Sequence, residues 1–166
     1  MPGKKLLPKP VSESQSVITQ VVLPNDANPL GNILGGTVMH LVDMVGGIAA
    51  HRHSGFYVVT ASVDHMDFRC PIRVGEIIVL KASVNRVFRS SMEVGAKVFR
   101  EENFTNRRQH TSSAYLTFVA IDETGKPALV PPVIPETPEE KRRYREAGRR
   151  RKWRLEELKL KESLLR

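Results

Sequence analysis

Residues 15–23 crowd β-branched and apolar side chains into a short run, which predicts a strand. The run stops at Pro24-Asn25-Asp26-Ala27-Asn28-Pro29-Leu30-Gly31-Asn32, a stretch so dense in turn formers that it must be a loop. Gly35-Gly36-Thr37 then opens a segment, to about residue 52, whose apolar residues recur at helical spacing. Four extended stretches follow at residues 57–68, 76–88, 92–100 and 110–122, separated by Cys70-Pro71, Arg73-Val74-Gly75 and Glu102-Asn103-Phe104-Thr105-Asn106 among other breaks. Spacers this short suit hairpins, whereas parallel strands need long crossovers. One strand, one helix and four strands in that order predict an antiparallel α+β domain.

The flanks read differently. Residues 1–14 are rich in Lys, Pro and Ser without periodicity and are expected to form a flexible arm. Pro127, Pro131, Pro132, Pro135 and Pro138 stiffen a linker over residues 126–138, which closes a domain spanning 15–125. Beyond it, Thr137 suits the cap of a helix with Glu139 and Glu140 in its first turn. Residues 139–166 then form a basic helical extension. As an appendage, it should be removable after Thr137 without loss of the fold.

Composition narrows the class. A chain of 166 residues has room for one domain, and 40% hydrophobic with 27% charged residues is the make-up of a globular protein. Apolar stretches such as 44–50 fall far short of the ~20 residues needed to cross a bilayer. No apolar run follows the lysines near Met1, so no secretory leader is expected, and the single Cys70 cannot form an internal disulfide. A cytoplasmic setting fits. The net charge of +8 raises nucleic acid as a partner, yet residues 136–166 hold 12 Lys and Arg against 7 acidic residues, so most of the excess sits in the tail. His51 and His53 have no third ligand nearby, so no metal site is expected, and Cys70 has no neighbouring base to make it a nucleophile.

At 100° per residue, Val38, Leu41, Val45 and Ile48 fall within about 40° of one direction, with Asp43 almost diametrically opposite. A wet face would surround Asp43 with Lys, Glu or Gln. Its neighbours within about 60° are instead Gly36, Met39, His40, Gly46, Gly47 and Ala50, which permit close approach by another backbone or a slender ligand. Both faces of the helix are then expected to be covered. A desolvated Asp43 is either a general base, or a carboxylate that pairs with a nearby Arg or caps a loop. At Gly35-Gly36 the first turn presents unpaired amides, which either receive an oxyanion or mark a plain loop-to-helix turn.

Residues 26–36, Leu41-Val42-Asp43 and Val59-Thr60-Ala61-Ser62-Val63-Asp64 together closely resemble the hotdog-fold acyl-CoA thioesterases of the YciA and brain acyl-CoA hydrolase type. The likeness continues through residues 68–76, Ser90-Ser91-Met92-Glu93 and residues 114–119, and the tail at 139–144 is similar to the family's C-terminal extension. It implies one long central helix wrapped by a five-stranded antiparallel sheet, and hydrolysis of a fatty acyl-CoA to free acid and CoA. By this resemblance Asp43 is the general base or nucleophile, Asn28 places water or substrate, and the Gly36 amide stabilises the oxyanion. A thiolate leaves easily, so no strong general acid is required.

The same likeness makes CoA part of the substrate rather than a cofactor, and points for it to Asp67, Phe68 and Arg69 and to the turn Arg89, Ser90 and Ser91. Arg and Ser there suit phosphates, although hairpin solvation accounts for each of these residues equally well. Leu34 stands where some relatives carry a His, so that position offers no proton donor. A homodimer is implied, assembling to a hexamer as a trimer of dimers. The small face around Asp43 is what a neighbouring chain would cover, which predicts a site built from Asn28 of one chain and Asp43 of its partner. The alternative is a non-catalytic acyl-CoA sensor whose basic tail binds nucleic acid, for which no helix-turn-helix pattern is present.

Overall fold

The computed structural model describes residues 6–105 and 107–164, so residues 1–5 of the expected arm, Asn106 and the last two residues of the tail lie outside the described residues. In chain order the elements are β1 (Lys9–Pro10), a 3-10 turn (Val11–Ser14), β2 (Ser16–Val21), a second 3-10 turn (Pro24–Asp26), α1 (Gly35–Ser54), β3 (Tyr57–Val63), β4 (Ile77–Val87), β5 (Ser91–Glu101), β6 (Arg108–Ile121), β7 (Val133–Ile134) and α2 (Pro138–Leu164). Five strands form one antiparallel sheet in the order β2-β4-β5-β6-β3. β3 lies at an edge because α1 crosses the sheet between β2 and β3.

Alternation along the strands builds the core. Met92, Val94, Ala96 and Val98 on β5 and Ala114, Leu116, Phe118 and Ala120 on β6 are buried at period two, on the face that α1 covers with Val38, Leu41, Val42, Val45 and Ala49. Each larger side chain contributes about 1.5–3 kcal/mol by leaving water. α1 stops at Gly55, whose φ of 73° is open to glycine and whose amide donates to His51 O at 2.8 Å.

The helix is turned relative to the wheel expectation. Val42 and Ala49 join the core while Ile48 is 39% exposed, so the stripe centres nearer Val38 and Val45, and Asp43 lies on its flank rather than opposite it. Gly46 and Ala50, expected on the far side, are buried. The extended stretch expected over residues 57–68 ends at Val63 after a register shift between Thr60 and Ser62, and residues 64–68 are irregular.

Part of the expected arm belongs to the packed body. Lys9 and Pro10 pair in parallel with Val133 and Ile134, and Val11 is in the core. Ser14 Oγ donates to Val11 O at 2.7 Å and accepts the Val84 amide at 2.9 Å. Ala128, Val130 and Val133 of the proline-rich segment are buried too. His53 fastens that segment to α1: its Nε2 donates to Pro131 O at 2.9 Å, and its buried Nδ1 has no partner among the described residues. Burial pushes the His53 pKa below the ordinary histidine value. Its contribution to stability is therefore full above about pH 6.5 and is lost as pH falls, because the unfolded chain takes up the proton first. Urea unfolding at pH 7.5 and 5.5 should show a drop that shrinks in His53→Gln.

α2 lies across the outer face of the sheet. Arg150 grips fully buried Glu93 through two contacts, Nη2 to Oε1 at 2.6 Å and Nε to Oε2 at 3.0 Å, and stacks on the Tyr115 ring at 3.6 Å. Asn85 Nδ2 donates to the same carboxylate at 3.0 Å. Removing Arg150 would take its ion-pair partner from the buried Glu93, so Arg150→Ala should cost about 3–5 kcal/mol of unfolding free energy. A loss under ~1 kcal/mol in urea titration would contradict this. Stopping the chain after Thr137 should cost at least as much, which reverses the expectation drawn from the proline-rich linker. Among the described residues, no helix is long and apolar enough to cross a membrane.

Candidate active site

The loop before α1 is ordered by Asn28. Its Oδ1 accepts the amides of Leu30 at 3.0 Å and Asn32 at 3.2 Å, and its own amide donates to Asn32 O at 2.8 Å. With the oxygen committed to this turn, Nδ2 is left as the donor. Leu34 N–H donates to Asp26 O at 2.8 Å, which sets the loop against the helix start. Val38 makes the first helical bond, to Leu34 O at 3.1 Å, so the amides of Gly35, Gly36 and Thr37 precede the ladder. A Cβ on Gly35 would stand 3.5 Å from the Phe68 ring, whereas one on Gly36 would meet nothing within 4 Å. A cavity of about 410 Å³ lies alongside, lined by Asn28, Gly35, Phe68, Arg69, Thr111 and Ser112 among others.

Asp43 sits two turns further along, half-buried, and its Oδ1 accepts the Thr60 hydroxyl at 2.6 Å. Thr60 pairs with Phe118 in register, which turns it toward α1. Sequence reasoning did not single out Thr60, since threonine is an ordinary strand former and nothing in the run Tyr57–Val63 sets it apart. Seven residues separate Gly36 from Asp43, about 10 Å at 1.5 Å per residue. An attacked carbonyl needs its oxyanion donor within about 3 Å, and a base one water further away. One chain thus holds the Gly36 amide and Asp43 about 10 Å apart along α1 rather than side by side.

The residues expected to hold CoA also divide. Asp67 O accepts Ser112 Oγ at 2.7 Å and the Arg69 amide donates to Thr111 O at 3.2 Å, beside the Asn28 cavity. The turn holding Arg89, Ser90 and Ser91 is braced at the other end of β6, where Ala120 N–H donates to Ser90 O at 2.9 Å. Eight residues of strand between Ser112 and Ala120 put the two groups roughly 27 Å apart in one chain. Asp67 also meets His65 Nε2 at 2.9 Å. His51 Nδ1 bonds Phe56 O at 2.7 Å, and Cys70 lies at the cavity wall with Gln109 Nε2 3.2 Å from its Sγ. Of the helix glycines, Gly46 is explained within the chain: a Cβ there would stand 3.0 Å from the Phe118 ring.

A sheet wrapped around one helix, with a carboxylate on that helix and an open glycine amide at its start, is the hotdog architecture. A model of the thioesterase superfamily matches residues 30–104, and the chain belongs to that superfamily. It is 40% identical over 149 residues to acyl-coenzyme A thioesterase 11 of Mus musculus, covering 89% of this chain but 25% of that protein. With the cytosolic acyl coenzyme A thioester hydrolase of Rattus norvegicus it shares 38% identity over 141 residues, 84% of this chain and 37% of that one. The chain thus spans about a quarter to two fifths of these relatives' length. An apo-hexameric acyl-CoA thioesterase superposes with a TM-score of 0.88 at 40% identity, covering 92% of this chain and 98% of that one. An acyl-CoA hydrolase from Staphylococcus aureus in complex with butyryl coenzyme A, coenzyme A and coenzyme A disulfide gives 0.84 at 38%, covering 96% and 100%.

Proposed function

We propose that this chain hydrolyses acyl-CoA thioesters to free acid and CoA, at sites that two copies share. The observation that carries the reading is the spacing on α1: the Gly36 amide precedes the helical ladder, and Asp43, the one carboxylate on α1, lies about 10 Å further along the helix in the same chain. A second copy supplies the missing half. Among the described residues β3 has one edge unpaired, with Tyr57 76% and Val59 51% exposed, and Met39, Met44 and Ile48 stand exposed on α1. A two-fold pairing over that surface covers it and sets Asp43 of each copy against the helix start of the other.

The chemistry then runs as follows. Thr60 holds Oδ1 of Asp43, which leaves Oδ2 for a water molecule. Asp43 takes a proton from that water as its oxygen bonds to the thioester carbon, and the carbonyl oxygen becomes an oxyanion on the Gly36 amide. Collapse breaks the carbon–sulfur bond and releases the CoA thiolate, to which the proton passes. Asn28 Nδ2 orients the water or the carbonyl. A hexamer of three such dimers is proposed from the hexameric relative, and a cytosolic setting from the rat relative's description. A panel of acyl-CoAs from acetyl to palmitoyl, with release of free thiol followed, tests the activity. Turnover on at least one chain length is expected, and none above background on any would reject it.

A further inference from the structure

α2 has two unlike sides. Toward the sheet it turns the buried Ala147, Arg150 with its partner Glu93, and Arg154, whose Nη1 lies 3.0 and 2.7 Å from the two Asp64 oxygens. On the side away from Ala147, Lys141, Arg145, Arg149 and Trp153 follow one another at four-residue steps, all exposed, and Leu160 and Leu164 continue the row. From Lys141 to Leu164 it runs about 35 Å along the helix.

The acids that flank this row are already engaged. Glu139 is held by Arg143 and Lys97, Glu146 by Arg142 at 2.9 Å, Glu156 by Lys152 at 3.9 Å and Glu157 by Lys161 at 2.7 Å. Among the described residues no ion pair of α2 falls to Lys141, Arg145 or Arg149, and like charges four residues apart on a helix repel one another. An anionic surface would relieve that repulsion. Beyond Arg154 the helix leaves the body: residues 155–164 are all exposed, and so short a helical segment without packing is marginal in water. Trp153, Leu160 and Leu164 thus stand in water beside the cations. Cations next to Trp and Leu suit the headgroup layer of a membrane, where the indole and leucines enter the apolar boundary and the cations meet phosphates and carboxylates. Nucleic acid would match the cations and leave the leucines wet.

We propose that the outward side of α2, from Lys141 to Leu164, docks on an anionic lipid surface. Electrostatic attraction acts through Lys141, Arg145 and Arg149, and shallow insertion through Trp153, Leu160 and Leu164. The contact is independent of the thioester chemistry, since none of these residues lies on α1 or at the Asn28 cavity.

Trp153 is the chain's one tryptophan, so its emission reports on the contact directly. The full chain is sedimented with phosphatidylcholine vesicles with and without about 30% phosphatidylserine, as native protein and as the pairs Arg145→Glu/Arg149→Glu and Leu160→Gln/Leu164→Gln. All four positions are exposed, so the unfolding midpoint and the thiol release without vesicles should match the native chain. Native protein should bind the vesicles that contain phosphatidylserine, with its emission moved to the blue, and should let go as salt is raised. The charge-reversed pair should bind at least about tenfold more weakly, and the glutamine pair several-fold more weakly. No binding by native protein, or equal binding by native protein and either pair, would overturn the proposal. Binding to duplex RNA but not to vesicles, lost on charge reversal and kept by the glutamine pair, would overturn it in favour of nucleic acid.

Discussion

Asp43→Asn should fold like the native chain and lose at least about two orders of magnitude in kcat, because the amide keeps the shape and the Thr60 contact but cannot accept a proton. Thiol release under saturating acyl-CoA measures it. The loss should appear in kcat more than in KM, since in the proposed reaction Asp43 acts on water and not on the CoA moiety. Turnover near the native level would remove Asp43 from the mechanism.

Mixed assemblies should recover activity that neither parent has. Asp43→Ala and Asn28→Ala proteins, each nearly inactive alone, are co-refolded in equal amounts so that about half of the dimers are mixed when association is random. In a mixed dimer with shared sites, one site carries both lesions and the other none. Half the dimers with half their sites intact gives about a quarter of native activity. Were each site built within one chain, every site would keep a lesion and nothing would return. Lack of recovery in a sample whose mixed dimers are confirmed by mass would sink the shared site.

The strand pattern was legible because period-two burial writes itself into β5 and β6, where Met92, Val94, Ala96 and Val98 alternate with polar positions. Two-residue strands have no period, so the pairing of Lys9 and Pro10 with Val133 and Ile134 left no mark in the sequence. Asp43 and Gly36 stood out by contrast with their surroundings, a carboxylate and a double glycine on an apolar helix. Thr60 did not, because its contact with Asp43 arises from a register that turns it toward α1. Glu93 was hidden for a related reason: it occupies the outward position of its strand, where an acid normally meets solvent, and its burial depends on a helix more than fifty residues away. A charged helix reads as solvated from sequence, and only the partners of Arg150 and Arg154 show which of its charges are turned inward.

The seven-residue spacing on α1 also sets a rule of number. If the oxyanion donor and the base on one helix can never meet over the same carbonyl, a lone chain is silent, and activity begins with encounter. Specific activity should then fall on dilution through the dissociation range of the dimer, with rate climbing as the square of chain concentration at the dilute end. A chain newly made would leave the cell's acyl-CoA pool untouched until a second copy was present.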